Sequence, residues 1–215
     1  MFRNNIEAMD PYLPGEQPQG GKFIKLNTNE NPYPPSPAVI TAIERSAQQG
    51  LVRYPDPLAT AFRLRAADLL GVDPDWILCG NGSDDLLTIA TRALVESGEM
   101  LRLPYPSYIL YRTLASLQGA RCQEIRFQPD WSLPAAFGQA EDDLRLVFLP
   151  NPNSPTGTVI DPQAILSLAE SLPCPLLVDE AYADFSESNC LDLVARNEKI
   201  MVTRTLSKSY ALAGL

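Results

Sequence analysis

Apolar residues recur along this chain in two rhythms, and the switches between them predict its elements. In "SPAVITAIERSAQQG", residues 36–50, they fall at helical spacing, with Ser36 as a cap, Pro37 in the first turn and Gly50 at the stop. The same spacing predicts helices over 58–70, from near Ser83 through "NGSDDLLTIATRALVESG", over "SYILYRTLASLQG" and over "DPQAILSLAESL". Between them lie apolar runs of strand length: "WILCG", "MLRLP", "RCQEIRF", "LRLVFLP", "PLLVDEAY" and "KIMVTRTL". "LRLVFLP" is almost continuously apolar, as in a strand covered on both faces. Residues 1–35 break both rhythms. Proline, glycine and asparagine in "DPYLPGEQPQGG" and "NTNENPYPPSP" predict an extended arm with one short strand over 22–26.

Strands alternating with helices predict an α/β fold, a mostly parallel sheet with helices on both faces. The predicted division is an arm over 1–35 and one large domain over 36–215. In such sheets ligands collect beyond the carboxyl ends of the strands. The stretches to weigh are therefore 80–83, 104–108, 150–157, 179–182 and 205–208.

Composition narrows the chemistry. With 45% hydrophobic and 20% charged residues, a chain of this size can bury a sizeable core. The net charge of −9, with scattered lysines and arginines, argues against a nucleic-acid partner. No apolar run approaches the roughly 20 residues of a membrane helix, and the start lacks the apolar core of a secretion signal. The 4 cysteines are far apart in sequence and form no CxxC pair, so a cytoplasmic protein with reduced thiols is expected. The chain has no histidine, which removes Ser–His and Cys–His nucleophiles and argues against zinc. Any catalytic base must be Lys, Tyr, Asp or Glu.

Each predicted strand end carries a candidate. Gly80 to Asp84 fits a phosphate cradle or, equally, a tight turn capped by Ser83. Asp179 directly follows a buried run and requires a positive partner or several donors, unless it is half of a solvated pair with Glu180. Tyr182 lies three residues on. "NPNSPTG" offers orientable amides in a proline-stiffened loop. Lys208, flanked by Thr205 and Ser207, follows the last strand; partly desolvated there it would be a nucleophilic amine, and otherwise it is an ordinary surface lysine. Together the set suits pyridoxal phosphate. The aldehyde takes a lysine as a Schiff base, the pyridinium nitrogen an acid, the ring oxygen a donor, and the phosphate N–H groups and hydroxyls.

The stretches "KLNTNENPYPPSP", "RYPDP", "GNGSDDLL", "PYPSYILY", "NPNSPTGT", "VDEAYADF" and "TRTLSKSYALAGL" occur in the order seen in pyridoxal-phosphate enzymes of the aspartate-aminotransferase fold type. Within them the chain most resembles the histidinol-phosphate aminotransferase subgroup. The resemblance implies that Lys208 bonds to the cofactor, Asp179 pairs with the pyridine nitrogen and Tyr182 with the ring oxygen. Tyr108 would stack on the ring. Gly82, Ser83 and Asp84 would hold the phosphate, beside the hydroxyls of Thr205 and Ser207. Tyr54 would reach the phosphate of a neighbouring subunit, implying a homodimer, and Asn29 and Asn31 would approach the substrate. The family loop usually reads "NPNNPTG"; here Ser154 replaces the second asparagine, and Asn153 or a water would take over its contact with the ring oxygen.

The implied reaction exchanges an amine between histidinol phosphate and 2-oxoglutarate, in histidine biosynthesis. The same residues would serve a threonine-phosphate decarboxylase or an aromatic amino-acid aminotransferase, and a cofactor-binding module without catalysis is the reading from another class. The family continues beyond the equivalent of Leu215 with an arginine for the phosphate, an antiparallel strand, an arginine for the substrate and a small domain. The chain is accordingly expected to be a fragment with little or no turnover by itself.

Overall fold

A computed structural model of the chain describes residues 1–9, 20 and 24–215. Helices α1 (Asn4–Glu7), α2 (Pro37–Gln48), α3 (Thr60–Leu70) and α4 (Ser83–Leu94) precede the first strand. Then follow β1 (Met100–Tyr105), α5 (Leu110–Gln118), β2 (Arg121–Arg126), β3 (Leu144–Pro150) and α6 (Pro162–Ser171). β4 (Leu176–Asp179), α7 (Leu191–Val194) and β5 (Ile200–Thr203) complete the order. The five strands form one sheet in the order β2-β1-β3-β4-β5, every neighbouring pair parallel.

The apolar runs explain the layers. Alternate side chains of a strand face opposite ways, so a strand apolar throughout must be covered twice. Val147 and Leu149 of β3 and Val178 of β4 pack with Ile165, Leu166 and Ala169 of α6. Leu146 and Phe148 of β3 and Leu177 of β4 pack on the other face with Leu87 of α4 and with Tyr111, Leu114 and Ala115 of α5. The expected α/β fold with helices on both faces is the one found.

β1 also carries a charge into this core. Arg102 is 0% exposed. A buried guanidinium is tolerated only when its donors are matched. Its Nε donates to Gln123 Oε1 at 2.6 Å, Nη1 to the carbonyls of Phe137 and Gln139, and Nη2 to Glu141 Oε1 at 2.6 Å. One side chain thus ties β1, β2 and the loop before β3 together.

Four readings of the sequence change. "WILCG" is not a strand: a 3-10 turn covers Pro74–Trp76, and residues 77–80 leave it without ladder pairing. Ile77 has extended backbone, but extension without a hydrogen-bonded neighbour is not a strand. The strand read over 22–26 lies outside the described residues at 22 and 23, and 24–26 are irregular. The arm begins with the single helical turn α1, docked on α5, where Asn5 Nδ2 donates to the Ser116 carbonyl at 3.0 Å. At α2, Ser36 holds the cap position but makes no side-chain cap bond; Pro37 starts the helix as expected. Among the described residues no helix is long and apolar enough to cross a membrane.

Candidate active site

Register brings the strand ends into line. Pro150 of β3 pairs with Asp179 of β4, which pairs with Thr203 of β5. Thr203 Oγ1 donates to Asp179 Oδ1 at 3.1 Å, and the Ala181 amide reaches the same oxygen at 3.2 Å. The Tyr111 hydroxyl donates to Oδ2 at 2.7 Å. Asp179 is 5% exposed, so the solvated-pair alternative does not hold. Burial pushes its pKa up from the ordinary carboxylate value, and the hydrogen bonds from Tyr111, Thr203 and Ala181 pull it back.

Glu180, the next residue, points elsewhere. Its side chain is fully buried; one carboxylate oxygen accepts the Cys190 amide and the other accepts Arg204 Nε and Nη2 at 3.0 and 2.7 Å. Arg204 also meets Asp184 at 3.4 Å, and the Ser209 hydroxyl bonds to the Asp184 carboxylate. Loop 204–209, which carries Lys208, is therefore held at both ends by the acids after β4.

Lys208 is half-buried, its Nζ 5.7 Å from the centre of the Tyr182 ring and donating to the Thr28 carbonyl at 3.1 Å. The arm is thus drawn over the strand ends. Asn29 Nδ2 donates to the Tyr182 hydroxyl at 2.9 Å, and Asn31 Nδ2 to the carbonyls of Lys208 and Ser209, both at 3.1 Å. Thr205 Oγ1 and Ser207 Oγ lie 2.9 Å apart.

At the other side, Gly82 takes the N-cap place of α4 with φ 81° and ψ 172°, so the turn is capped by glycine rather than by Ser83. That backbone is one that side chains resist. Ser83, Asp84 and Asp85 form the first turn, where helix amides have no intrahelical acceptor. The Asp85 carboxylate accepts the Asn81 amide at 3.0 Å, and Asp84 faces the Tyr108 hydroxyl at 3.2 Å. Tyr108 meets Tyr111 edge-on, centroids 5.6 Å apart. Contacts thus run from Asp84 through Tyr108 and Tyr111 to Asp179, while Tyr182, three residues after Asp179, leads to Lys208.

Asn153 is 3% exposed; its Nδ2 donates to the Pro106 carbonyl and to Thr156 Oγ1. Its Oδ1 and the neighbouring Ser107 Oγ are buried without a partner among the described residues. Tyr54 is the one candidate outside the cluster, fully exposed in the loop between α2 and α3. Tyr111, Thr203, Thr28 and Arg204 belong to the cluster but are not picked out by reading along the chain. For Tyr111 a signal existed: it lies three residues after Tyr108 in "YILY", a spacing that would put both on one face of the helix read over "SYILYRTLASLQG".

Pyridoxal phosphate fits this donor set. A half-buried amine, a phenol, a buried acid with acceptor capacity left, first-turn helix amides and a hydroxyl pair sit at one edge of the sheet, and two polar atoms there are buried without a partner among the described residues.

Comparison with known proteins agrees. The sequence profile described as aminotransferase class I and II matches residues 21–215, and the chain belongs to that family. It is 60% identical over its whole length to a histidinol-phosphate aminotransferase of Rhodopirellula baltica, and 48% to histidinol-phosphate aminotransferase 1 of Trichormus variabilis. It spans only 59% and 61% of those two relatives. Among solved structures, histidinol-phosphate aminotransferase from Sinorhizobium meliloti in complex with pyridoxal-5'-phosphate superposes with a TM-score of 0.79 at 29% identity, over 87% of this chain and 52% of that one.

Proposed function

We propose that the chain is the larger part of a pyridoxal-phosphate-dependent aminotransferase that exchanges the amine of histidinol phosphate with 2-oxoglutarate. The observation that carries this reading is the half-buried Lys208 amine beside the Tyr182 ring, with buried Asp179 three residues before that tyrosine. The relatives named above support the choice of substrate.

Bound here, pyridoxal phosphate would supply an aldehyde and an electron-accepting ring. Lys208 Nζ is the group that would bond to its aldehyde carbon and would serve as the base that moves a proton between the substrate's α-carbon and that carbon. Asp179 would hold the ring N–H, and its charge would keep that proton in place. The Tyr182 hydroxyl, itself accepting from Asn29, would donate to the ring oxygen. Tyr108 would cover the ring face. The turn at Gly82 and the first-turn amides of Ser83 and Asp84, with Thr205 and Ser207, would take the phosphate. Asn153 would serve where Ser154 replaces the usual asparagine, and Asn29 and Asn31 would line the substrate's approach.

The reading extends to a homodimer, in which exposed Tyr54 would contact the partner subunit's site. It also extends to a cytoplasmic setting, consistent with four free thiols. The division into an arm over 1–35 and a cofactor-binding domain over 36–215 belongs to the same reading.

The test has two stages. Added pyridoxal phosphate should give a visible absorbance band that Lys208→Ala abolishes; no band from the unaltered chain refutes cofactor binding. The complete protein should convert histidinol phosphate and 2-oxoglutarate to imidazole-acetol phosphate and glutamate. Release of CO2 from phosphothreonine instead would make it a decarboxylase.

A further inference from the structure

Asp179 occupies a site that opposes its ionisation, yet the function proposed above needs it charged. Its surroundings are Leu177 and Val178 before it in β4, the ring of Tyr111 on one side and Thr203 on the other. No cation is bonded to it among the described residues; its hydrogen-bond partners are a phenol, a hydroxyl and an amide. An ionised carboxylate has about four acceptor positions. Thr203 and Ala181 occupy Oδ1, and Tyr111 takes one position on Oδ2. One position on Oδ2 is left for a ring N–H.

We propose that Tyr111 is a positioning residue for Asp179, fixing the carboxylate in its ionised form with one acceptor site free for the cofactor ring. The inference rests on the reading of the site given above. The packing of Tyr111 argues for it. The residue is 0% exposed, lies against Phe148 with ring centroids 4.8 Å apart, and meets Tyr108 edge-on, so its hydroxyl is aimed by packing against two aromatic rings. Burial, and then the Asp179 charge, hold the phenol well above the usual tyrosine range. It therefore remains a donor at any working pH. The other titratable groups near this pair are Tyr108, just before α5, and Asp84 at the start of α4, whose negative charge disfavours ionisation of Asp179. Tyr111 is the ionisable side chain seen hydrogen-bonded to Asp179, and through it the acid is controlled.

The experiment reads the carboxyl directly, without cofactor. The chain is labelled with carboxyl-13C aspartate, and the Asp179 signal is assigned by its loss in Asp179→Asn. Its titration is followed by infrared spectroscopy in the unaltered chain, in Tyr111→Phe and with 3-fluorotyrosine at position 111. The phenylalanine variant removes one hydroxyl and should raise the Asp179 pKa by about one unit, a tenfold change in proton affinity. Fluorotyrosine keeps the shape and makes a stronger donor, so it should move the titration the other way. Pyridoxal-phosphate affinity should fall about tenfold in Tyr111→Phe, by the same arithmetic. Unchanged titrations, or shifts in the same direction for both replacements, overturn the proposal. Failure of the unaltered chain to bind cofactor refutes the reading of the site instead, and the titrations still decide whether Tyr111 governs Asp179. If Tyr111→Phe fails to fold, the fluorotyrosine titration decides alone.

Discussion

Arg204 closes two hydrogen bonds, at 3.0 and 2.7 Å, on a Glu180 side chain that has no solvent exposure. The pair joins the end of β4 to the loop that carries Lys208. Breaking one half of a buried pair strands the other charge. Arg204→Met is therefore expected to lower stability by about 3 kcal/mol. Adding Glu180→Gln should recover most of it, because glutamine still offers an oxygen to the Cys190 amide. The deficit should also depend on pH. Burial already holds Glu180 above its ordinary value, and losing Arg204 raises it further. A raised folded pKa means the folded state retains a proton that the unfolded chain releases. Stability therefore falls as pH rises from about 4.5 through the folded value. Urea denaturation at pH 5 and pH 8 checks this; an equal deficit at both would contradict it.

Gly82→Ala tests the turn before α4. A Cβ there meets nothing within 4 Å, so no clash contributes. The backbone at φ 81° and ψ 172° is nevertheless almost confined to glycine. A loss of about 1–3 kcal/mol is expected from strain alone. A neutral result in a thermal melt would mean that the turn relaxes at no cost.

Phe148 is fully buried between sheet and helices and lies against Tyr111. Phe148→Ala should cost about 3–5 kcal/mol. The variant should also loosen Tyr111, so cofactor affinity should fall alongside stability. Denaturant midpoints and cofactor titrations on the same preparation separate the two effects.

Burial raises all four thiols, Cys122 and Cys174 to about 11 and Cys190 to about 12, where the charge of Glu180 adds to burial. Their ordinary value is 9.0. Between those values the unfolded chain sheds protons that the folded chain keeps, so stability falls as pH rises above 9. Melting temperature should drop steadily on the alkaline side, and Cys190→Ala should flatten the slope. Cys190 and Cys174 should also resist alkylation in the native state at pH 8.

Lys208→Ala is expected to leave stability within about 0.5 kcal/mol of the parent, since the side chain is half-buried with one hydrogen bond, to the Thr28 carbonyl. Its absorbance with pyridoxal phosphate should nevertheless vanish. A melt and a scan of the same sample decide it. An unfolded variant would make Lys208 structural.

The order of helices and strands was legible because its causes are local. The apolar run "LRLVFLP", Pro37 at the start of α2 and the lysine after "KIMVTRT" are signals spanning a few residues, and each element they predict is present within a few positions. "WILCG" has the same local signal, yet it is not a strand, because strand formation depends on a neighbour that local sequence does not encode. The α1 turn, four residues long, is too short to show a helical period; it is held by Asn5 on the Ser116 carbonyl, 111 positions away.

By itself, the chain's sequence determined the alternation of elements and which chemistry-bearing residues end the strands, among them Lys208, Asp179 and Tyr182. Only the tertiary structure decided their partners. Tyr111 lies 68 positions from Asp179, Asn29 lies 153 from Tyr182, and Thr28 lies 180 from Lys208. Helix and strand preferences act over neighbouring residues, whereas an acid's ionisation and a lysine's direction depend on whatever packing brings within a few ångströms.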